Sequence, residues 1–307
     1  MTRLRIFASA LSLATLLLGQ PVQAESTPLP VTATFSILGD LVQQVGGDKV
    51  HVTTLVGPDG DAHVYQPSPQ DVRTLGQSHL LVSNGLGFEG WLDRLAQSSG
   101  FKGTTVVASH GITPLHRSEE HEEHEDGHDH HGDSDPHAWN DANNVLIYVD
   151  NIAQGLADAD PANAALYAAN AASYKAQVMQ LDMRYKIRFN ALPEARRKAI
   201  TSHDAFGYLA HAYHLTLLAP QGMNTGAEPS AAQVANLIRQ IRQQNIPALF
   251  VENISDPRLM EQIARETQVK IGGKLYSDAL SGPKGDAPTY LAFLEHNLST
   301  LLKALEP

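Results

Sequence analysis

Short apolar runs alternate with helical patterns along two stretches of the chain. Runs rich in Val, Leu, Ile and Thr predict buried strands at residues 31–35, 49–56, 81–83, 105–108, 198–202, 248–251 and 274–276. Helical patterns lie between and after these strands, at residues 37–45, 206–214, 230–243, 257–267 and 290–305. This alternation predicts an α/β fold of two βα lobes with mostly parallel sheets.

One helical pattern is much longer than the others and lies between the two stretches. Asp160 is a suitable N-cap, Pro161 suits the first helical position, and the pattern continues to Leu192. About 30 residues at about 1.5 Å each form a rod of roughly 45 Å. We therefore predict an N-terminal lobe at residues 25–159, a linking helix at 160–192 and a C-terminal lobe at 193–307.

The first 24 residues have the pattern of a cleavable signal peptide. Arg3 and Arg5 precede a short apolar run at 6–18, and the small residues Val22 and Ala24 suit a cleavage site. The chain has no cysteine, which excludes a lipoprotein anchor on that residue. We therefore expect a soluble periplasmic protein that is not a lipoprotein.

Composition and charge narrow the range of functions. The chain of 307 residues has 33 acidic and 22 basic residues, and its net charge of −11 argues against nucleic acid or an anionic membrane as a partner. The lack of cysteine excludes disulfides, thiolate metal sites and cysteine nucleophiles. The 15 histidines are unevenly placed, which makes them the first candidates for metal chemistry.

Residues 116–135 form a tract of histidines and acids. Between Glu119 and Asp135 the tract has five histidines, nine acids and no large apolar residue, which predicts a mobile, exposed loop. Imidazoles beside carboxylates suit Zn²⁺. Accessory metal contacts are therefore predicted at His121, His124, His128, His130 and His131. The alternative is a solvated spacer without a function.

Four residues outside the tract are candidates for a single metal site. His63, His203 and Asp278 each follow a predicted strand, and His137 lies in a loop before a helix. Ligands of open α/β domains bind beyond the carboxyl ends of the strands. Three imidazoles and one carboxylate would complete a four-coordinate site that suits Zn²⁺. Spacing alone leaves open that each is a capping or core residue.

The segments around these four residues resemble those of a known family. Residues 59–71 (DGDAHVYQPSPQD), 135–141 (DPHAWND), 203–208 (HDAFGY) and 276–278 (YSD) are similar, in order, to the four ligand segments of the ZnuA-like zinc/manganese class of ABC-transporter substrate-binding proteins. The resemblance covers essentially the whole chain after residue 24. It implies two α/β lobes joined by one long helix, with the metal in the cleft between them.

The resemblance also implies the ligands, the function and the partners. The implied ligands are His63, His137, His203 and Asp278, and the implied partners are a membrane permease and a cytoplasmic ATPase that import Zn²⁺. Manganese-selective members resemble this pattern but carry Glu where this chain has His203, which favours Zn²⁺. A manganese or mixed Zn/Mn protein and a transporter-independent zinc buffer remain alternatives. We expect a monomer, with a periplasmic zinc chaperone as a further candidate partner.

An enzyme is not expected, because the chain has no His-Glu-x-x-His motif and four protein ligands would close the site. Other residues near the candidate ligands have structural or supporting interpretations. Asp61 is interpreted as shaping its loop. Asp204 is a candidate to support a ligand imidazole, or else to start the helix that follows it. Glu252 follows a buried strand and is a candidate to face the cleft. Tyr65 and Trp139 are expected to form walls of the cleft.

Overall fold

The structure, a computed structural model, describes residues 27–116 and 134–307. The predicted signal peptide and its cleavage site therefore lie outside the described residues. The same is true of the five accessory histidines of the predicted loop, His121, His124, His128, His130 and His131. These parts of the sequence analysis stay predictions.

The N-terminal half is built on a four-stranded parallel sheet in the order β2-β1-β3-β4. Its strands are β1 (Leu29–Phe35), β2 (Val50–Val56), β3 (Leu80–Ser83) and β4 (Thr104–Val107). Its helices are α1 (Ser36–Gly46), α2 (Pro69–Gln77), α3 (Leu92–Ser99) and α4 (Ala142–Ala159). Five consecutive residues of β1 are buried, as expected for a strand that is covered on both faces.

The C-terminal half repeats this plan with a second parallel sheet in the order β6-β5-β7-β8. Its strands are β5 (Lys198–Ile200), β6 (Thr216–Leu218), β7 (Ala248–Glu252) and β8 (Lys270–Leu275). Its helices are α6 (Gly207–Tyr213), α7 (Ala231–Gln244), α8 (Arg258–Thr267) and α9 (Tyr290–Leu305). The two parallel sheets confirm the predicted α/β fold class.

A long helix, α5 (Ala164–Asn190), lies between the two halves in the chain and contacts both. It is shorter than the predicted 160–192, because residues Pro161–Asn163 form a separate 3-10 turn. Asn170 Nδ2 donates to Val45 O of the first half at 2.9 Å, and Asp182 Oδ1 accepts from Tyr213 of the second half at 2.9 Å. At about 1.5 Å per residue its 27 residues extend about 40 Å.

One hydrophobic core continues through both halves. It joins residues of the first sheet to α5, α9 and the buried ends of β7 and β8, whereas a smaller core packs the second sheet on α7 and α8. Across residues 27–116 and 134–307, none of the helices combines the length and apolar composition that a membrane span requires. The continuous core brings the carboxyl ends of the two sheets together.

Candidate metal centre

The four predicted ligands converge at the junction of the two sheets. His63, His137, His203 and Asp278 each offer one ligand atom, and these atoms all lie within 4.8 Å of one another. His63 Nε2 lies 3.2 Å from His137 Nε2 and 3.1 Å from Asp278 Oδ2. His203 Nε2 lies 3.3 Å from the same carboxylate oxygen.

These separations match the space that a single metal ion occupies. Four atoms at about 2.0–2.1 Å from a tetrahedral zinc ion are about 3.3–3.4 Å apart from one another. The contacts of 3.1–3.3 Å above are close to that edge length, and His137 Nε2 lies 3.7 Å from Asp278 Oδ1. The arrangement is therefore a cage of suitable size and donor type for Zn²⁺.

The topology explains why residues so distant in sequence meet here. His63 follows β2, His203 follows β5 and Asp278 follows β8, so three of the four stand beyond the carboxyl ends of parallel strands. His137 precedes the short 3-10 turn Ala138–Asn140 that leads into α4. Each half of the molecule thus supplies two of the four side chains.

Hydrogen bonds to carboxylates orient two of the imidazoles. His137 Nδ1 lies 2.7 Å from Asp135 Oδ1, and His203 Nδ1 lies 2.5 Å from Glu252 Oε2. In each ring the carboxylate favours a proton on Nδ1, which leaves Nε2, directed at the centre, as the atom that would bind a metal. Carboxylate–histidine pairs of this kind are typical of metal sites.

The loop that carries His63 is fixed in a different way. Asp61 Oδ1 accepts from the backbone N–H of His63 at 2.9 Å, and Ala62 O accepts from the indole N–H of Trp91 at 2.8 Å. Asp61 Oδ2 also accepts from Thr225 Oγ1 of the second half at 2.6 Å. Asp61 therefore shapes the loop and ties it to the opposite half, as its sequence interpretation suggested in part.

Buried polar atoms in the cage lack hydrogen-bond partners. The side chains of His137, His203 and Asp278 are fully buried, and that of His63 is 2% exposed. Within the described residues, His203 Nε2 and both carboxylate oxygens of Asp278 have no hydrogen-bond partner. A buried, unpaired carboxylate is costly. A cation bound by these atoms would satisfy all three.

The charges in the cage favour a cation. Burial alone would raise the pKa of Asp278, but His203 and His137 outweigh that effect and hold its pKa well below the usual range. Burial would lower the pKa of His203, but the nearby carboxylates Glu252 and Asp278 raise it well above its ordinary value. Asp278 is therefore ionised, and an arriving metal ion must displace a proton from His203.

Aromatic rings form the wall of the cage on one side. Trp139 lies against His137 at a ring-centroid distance of 5.3 Å, and its indole N–H donates to Ser277 O at 2.9 Å. The ring centroid of Phe88 lies 4.7 Å from that of His63. Tyr65, by contrast, packs on Trp91 and donates to Asp71 at the start of α2. The expectation for Trp139 agrees with this arrangement.

Asp135 and Phe88 are the neighbours of the cage that sequence reasoning missed. Asp135 was counted among the acids of the histidine-rich tract and as the first residue of the segment 135–141, without a role of its own, although its side chain also accepts from the backbone N–H of His137 at 2.9 Å. The Asp-x-His spacing could have indicated this turn. No sequence signal distinguishes Phe88 from an ordinary core residue. Asp204 has interaction partners in the structure, and its candidate role toward a ligand imidazole stays a prediction.

Comparisons with known proteins agree with this geometry. A family model described as the zinc-uptake complex component A, periplasmic (ZnuA), matches residues 31–304. The iron-binding protein YfeA of Yersinia pestis is 33% identical over 297 residues, which cover 97% of this chain and 92% of that protein. Other relatives are named manganese-binding or metal ABC transporter substrate-binding lipoproteins.

Solved structures show the same fold. A manganese-bound single-site mutant of a periplasmic metal binding protein from Candidatus Liberibacter asiaticus has a TM-score of 0.81 at 32% identity, covering 90% of this chain and 99% of that one. The periplasmic zinc binding protein TroA of Treponema pallidum has a TM-score of 0.82 at 28% identity, covering 92% and 100%. The similar proteins are thus named for iron, manganese or zinc.

Proposed function

This chain belongs to the ZnuA family of periplasmic zinc-uptake components, and on that premise we propose that it captures Zn²⁺ and delivers it to an ABC-type importer. The family is a solute-binding part of a transport system, which confirms that the chain is not an enzyme. The proposal assigns His63, His137, His203 and Asp278 as the four ligands of the transported ion.

The observation that carries the proposal is the unsatisfied, buried cage. Three separations among the three imidazole nitrogens and the carboxylate are 3.1–3.3 Å, close to the edge of a zinc tetrahedron, and all the ligand atoms lie within 4.8 Å of one another. The protein keeps an ionised carboxylate, Asp278, in its interior without a hydrogen-bond partner, and its charged neighbours are the imidazoles of the same cage. Such a group is destabilising unless an ion or a proton-bearing partner compensates it. Transport of a divalent cation accounts for the cost.

The donor set supports zinc as the cargo. Imidazole nitrogens are borderline ligands that suit Zn²⁺, whereas Mn²⁺ prefers sites rich in carboxylate and other oxygen ligands. His203 is decisive here, because a carboxylate at that position would make the set two nitrogens and two carboxylates. Affinity for a given site also rises from Mn²⁺ toward the later metals of the row.

Manganese is the second candidate cargo. It is favoured by the names of several relatives and by the manganese-bound structure described above. Transport of both ions by one protein is the corresponding mixed alternative.

The proposed partners and location follow from the family. A substrate-binding component works with a membrane permease and an ATPase, so we propose that the loaded protein docks on such a permease. The location is periplasmic or otherwise outside the cytoplasm. Several relatives are named lipoproteins, which conflicts with the expected unanchored form, although this chain has no cysteine to carry the usual lipid.

Metal competition tests the assignment. Zn²⁺ and Mn²⁺ are each titrated against chelators of known affinity with the wild type, with His203→Ala, and with residues 117–133 replaced by a short Gly-Ser linker. The linker is feasible because His116 and Ser134 pair in an antiparallel bridge. His211→Ala, an exposed histidine of the same half, is the matched control.

The proposal expects one tight zinc equivalent that is lost only in His203→Ala. Tight binding that disappears with residues 117–133 would contradict the cage assignment. Manganese held as tightly as zinc would contradict the zinc assignment and support the second candidate.

A further inference from the structure

Asp135, which orients the ring of His137, is enclosed by the opposite half of the molecule. Its side chain is 8% exposed, and its Oδ1 lies 2.7 Å from His137 Nδ1. A Cβ atom on Gly207 would lie 2.5 Å from Asp135 Oδ2, so only glycine at that position leaves room for the carboxylate. Gly207, the first residue of α6, therefore packs directly against Asp135, the hydrogen-bond partner of His137.

The next residue, Tyr208, bonds the backbone on both sides of the segment 117–133. Its hydroxyl donates to Asp135 O at 3.0 Å and accepts from the N–H of Leu115 at 3.0 Å. Leu115 O also accepts from the N–H of Asp135 at 2.8 Å. One buried hydroxyl of the C-terminal half thus holds two neighbouring backbone segments of the N-terminal half.

The stretch of chain that contains Tyr208 and the stretch that contains Asp135 each carry a metal ligand. His203 lies five residues before Tyr208, and His137 lies two residues after Asp135. A further hydrogen bond joins the stretches, since Asn140 Nδ2 donates to Ala205 O at 3.0 Å. The contacts between residues 135–140 and 203–208 therefore connect the two halves directly beside the cage.

We propose that Tyr208 is a positioning residue that retains the bound metal by holding Asp135, and through it the His137 ring, in the enclosed arrangement. This inference rests on the proposed function. The ligand side chains are at most 2% exposed, so an ion leaves only when the two halves part. Parting breaks both hydrogen bonds of the Tyr208 hydroxyl. These bonds hold the two halves together around the cage, so their loss should speed the release of the ion.

The test compares Tyr208→Phe with Tyr213→Phe. Tyr213 lies on the same helix and also loses a buried hydrogen bond on substitution, because its hydroxyl donates to Asp182 of α5 at 2.9 Å. Zn²⁺ alone is the probe. Its release into excess chelator and its uptake are followed by stopped flow, with metal content and the thermal unfolding of the metal-free forms measured in parallel.

Tyr208→Phe is expected to bind one zinc ion and to release it about tenfold faster, since the enclosed form of the variant lacks a net hydrogen bond worth about that factor. Tyr213→Phe is expected to release zinc within about twofold of the wild type.

Equal release rates for the two phenylalanine variants would overturn the inference and leave the proposed function standing. A wild type that holds no zinc at His63, His137, His203 and Asp278 would overturn the proposed function and this inference together.

Discussion

Glu252 holds both the backbone and the ring of His203. Its Oε2 lies 2.5 Å from Nδ1 of the imidazole, and its Oε1 accepts from the backbone N–H groups of Ser202 and His203 at 2.7 and 3.0 Å. Both side chains are fully buried. A single carboxylate at the end of β7 therefore sets the position, the orientation and the protonation of a ligand that follows β5.

Glu252→Gln should weaken zinc binding without changing its stoichiometry. The amide keeps the volume but loses the charge that favours the proton on Nδ1, and removal of such a partner typically costs about 10- to 100-fold in metal affinity. Chelator competition measures the loss. Glu228→Gln, an exposed acid of the same half, is the control and should be unchanged. Wild-type affinity in Glu252→Gln would refute this role.

Zinc affinity should fall as the pH is lowered, beginning above the ordinary histidine pKa of about 6.5. Glu252 and Asp278 raise the pKa of His203, so protons compete with the metal at a higher pH than they would at a free imidazole. The apparent zinc affinity is measured from about pH 9 to pH 5.5. A flat profile down to about pH 6 would contradict the raised pKa.

The metal-free protein should show the opposite dependence of stability on pH. The pKa of His203 is higher in the folded than in the unfolded chain, so its contribution is fully present below about pH 6.5 and is lost as the pH rises through the folded pKa. Denaturant unfolding at about pH 6.5 and pH 9 measures this contribution to the free energy of unfolding. His203→Gln should lose the difference, and a variant that retains it would show that another group is responsible.

Replacing the cage nitrogen of His203 by oxygen should shift selectivity toward manganese. In His203→Glu combined with Glu252→Gln, the second change removes the repulsion between two buried carboxylates. The ratio of zinc to manganese affinity should fall by at least about tenfold, because the donor set becomes harder. Glu252→Gln alone is the control. An unchanged ratio would show that the ligand at residue 203 does not set selectivity.

Gly272→Ala should destabilise the C-terminal half and leave the cage ligands unchanged. A Cβ at Gly272 in β8 would lie 2.7 Å from Ala304 Cβ of α9 and 2.8 Å from Phe250 Cε1 of β7. Overpacking of this kind costs about 1–3 kcal/mol. Denaturant unfolding of the metal-free protein checks the loss. Gly282→Ala, with no atom near its Cβ position, is the control and should be close to neutral.

The strands differ in how well the amino-acid sequence predicts them. Long buried runs such as Val31–Phe35 were predictable, because a strand covered on both faces needs consecutive apolar residues. The three-residue strand β6 (Thr216–Leu218) is too short to show any period, and it was missed. Strand β8 begins at Lys270 and not at the predicted residue 274. Gly272 and Gly273 interrupt the apolar pattern, so the first residues of this strand were not predicted. Close packing on Phe250 and α9, which are distant in sequence, requires glycine at these two positions.

The four cage residues could be predicted from their positions near strands together with the family resemblance of their segments. The residues that hold them in place could not. His63 stands beyond a strand of the first sheet, and His203 and Asp278 stand beyond strands of the second, at the carboxyl ends where α/β domains bind ligands. The roles of Tyr208 and Gly207 depend on how closely the two halves approach each other. Nothing local in the sequence encodes that approach. It follows from packing through α5 and α9.

The most direct test is a crystal structure of the zinc-loaded protein, with anomalous diffraction measured on both sides of the zinc absorption edge. The account predicts one strong peak bound by Nε2 of His63, His137 and His203 and by the carboxylate of Asp278, with bonds of about 2.0–2.1 Å. A cage without zinc, with the metal held elsewhere on the chain, would contradict it.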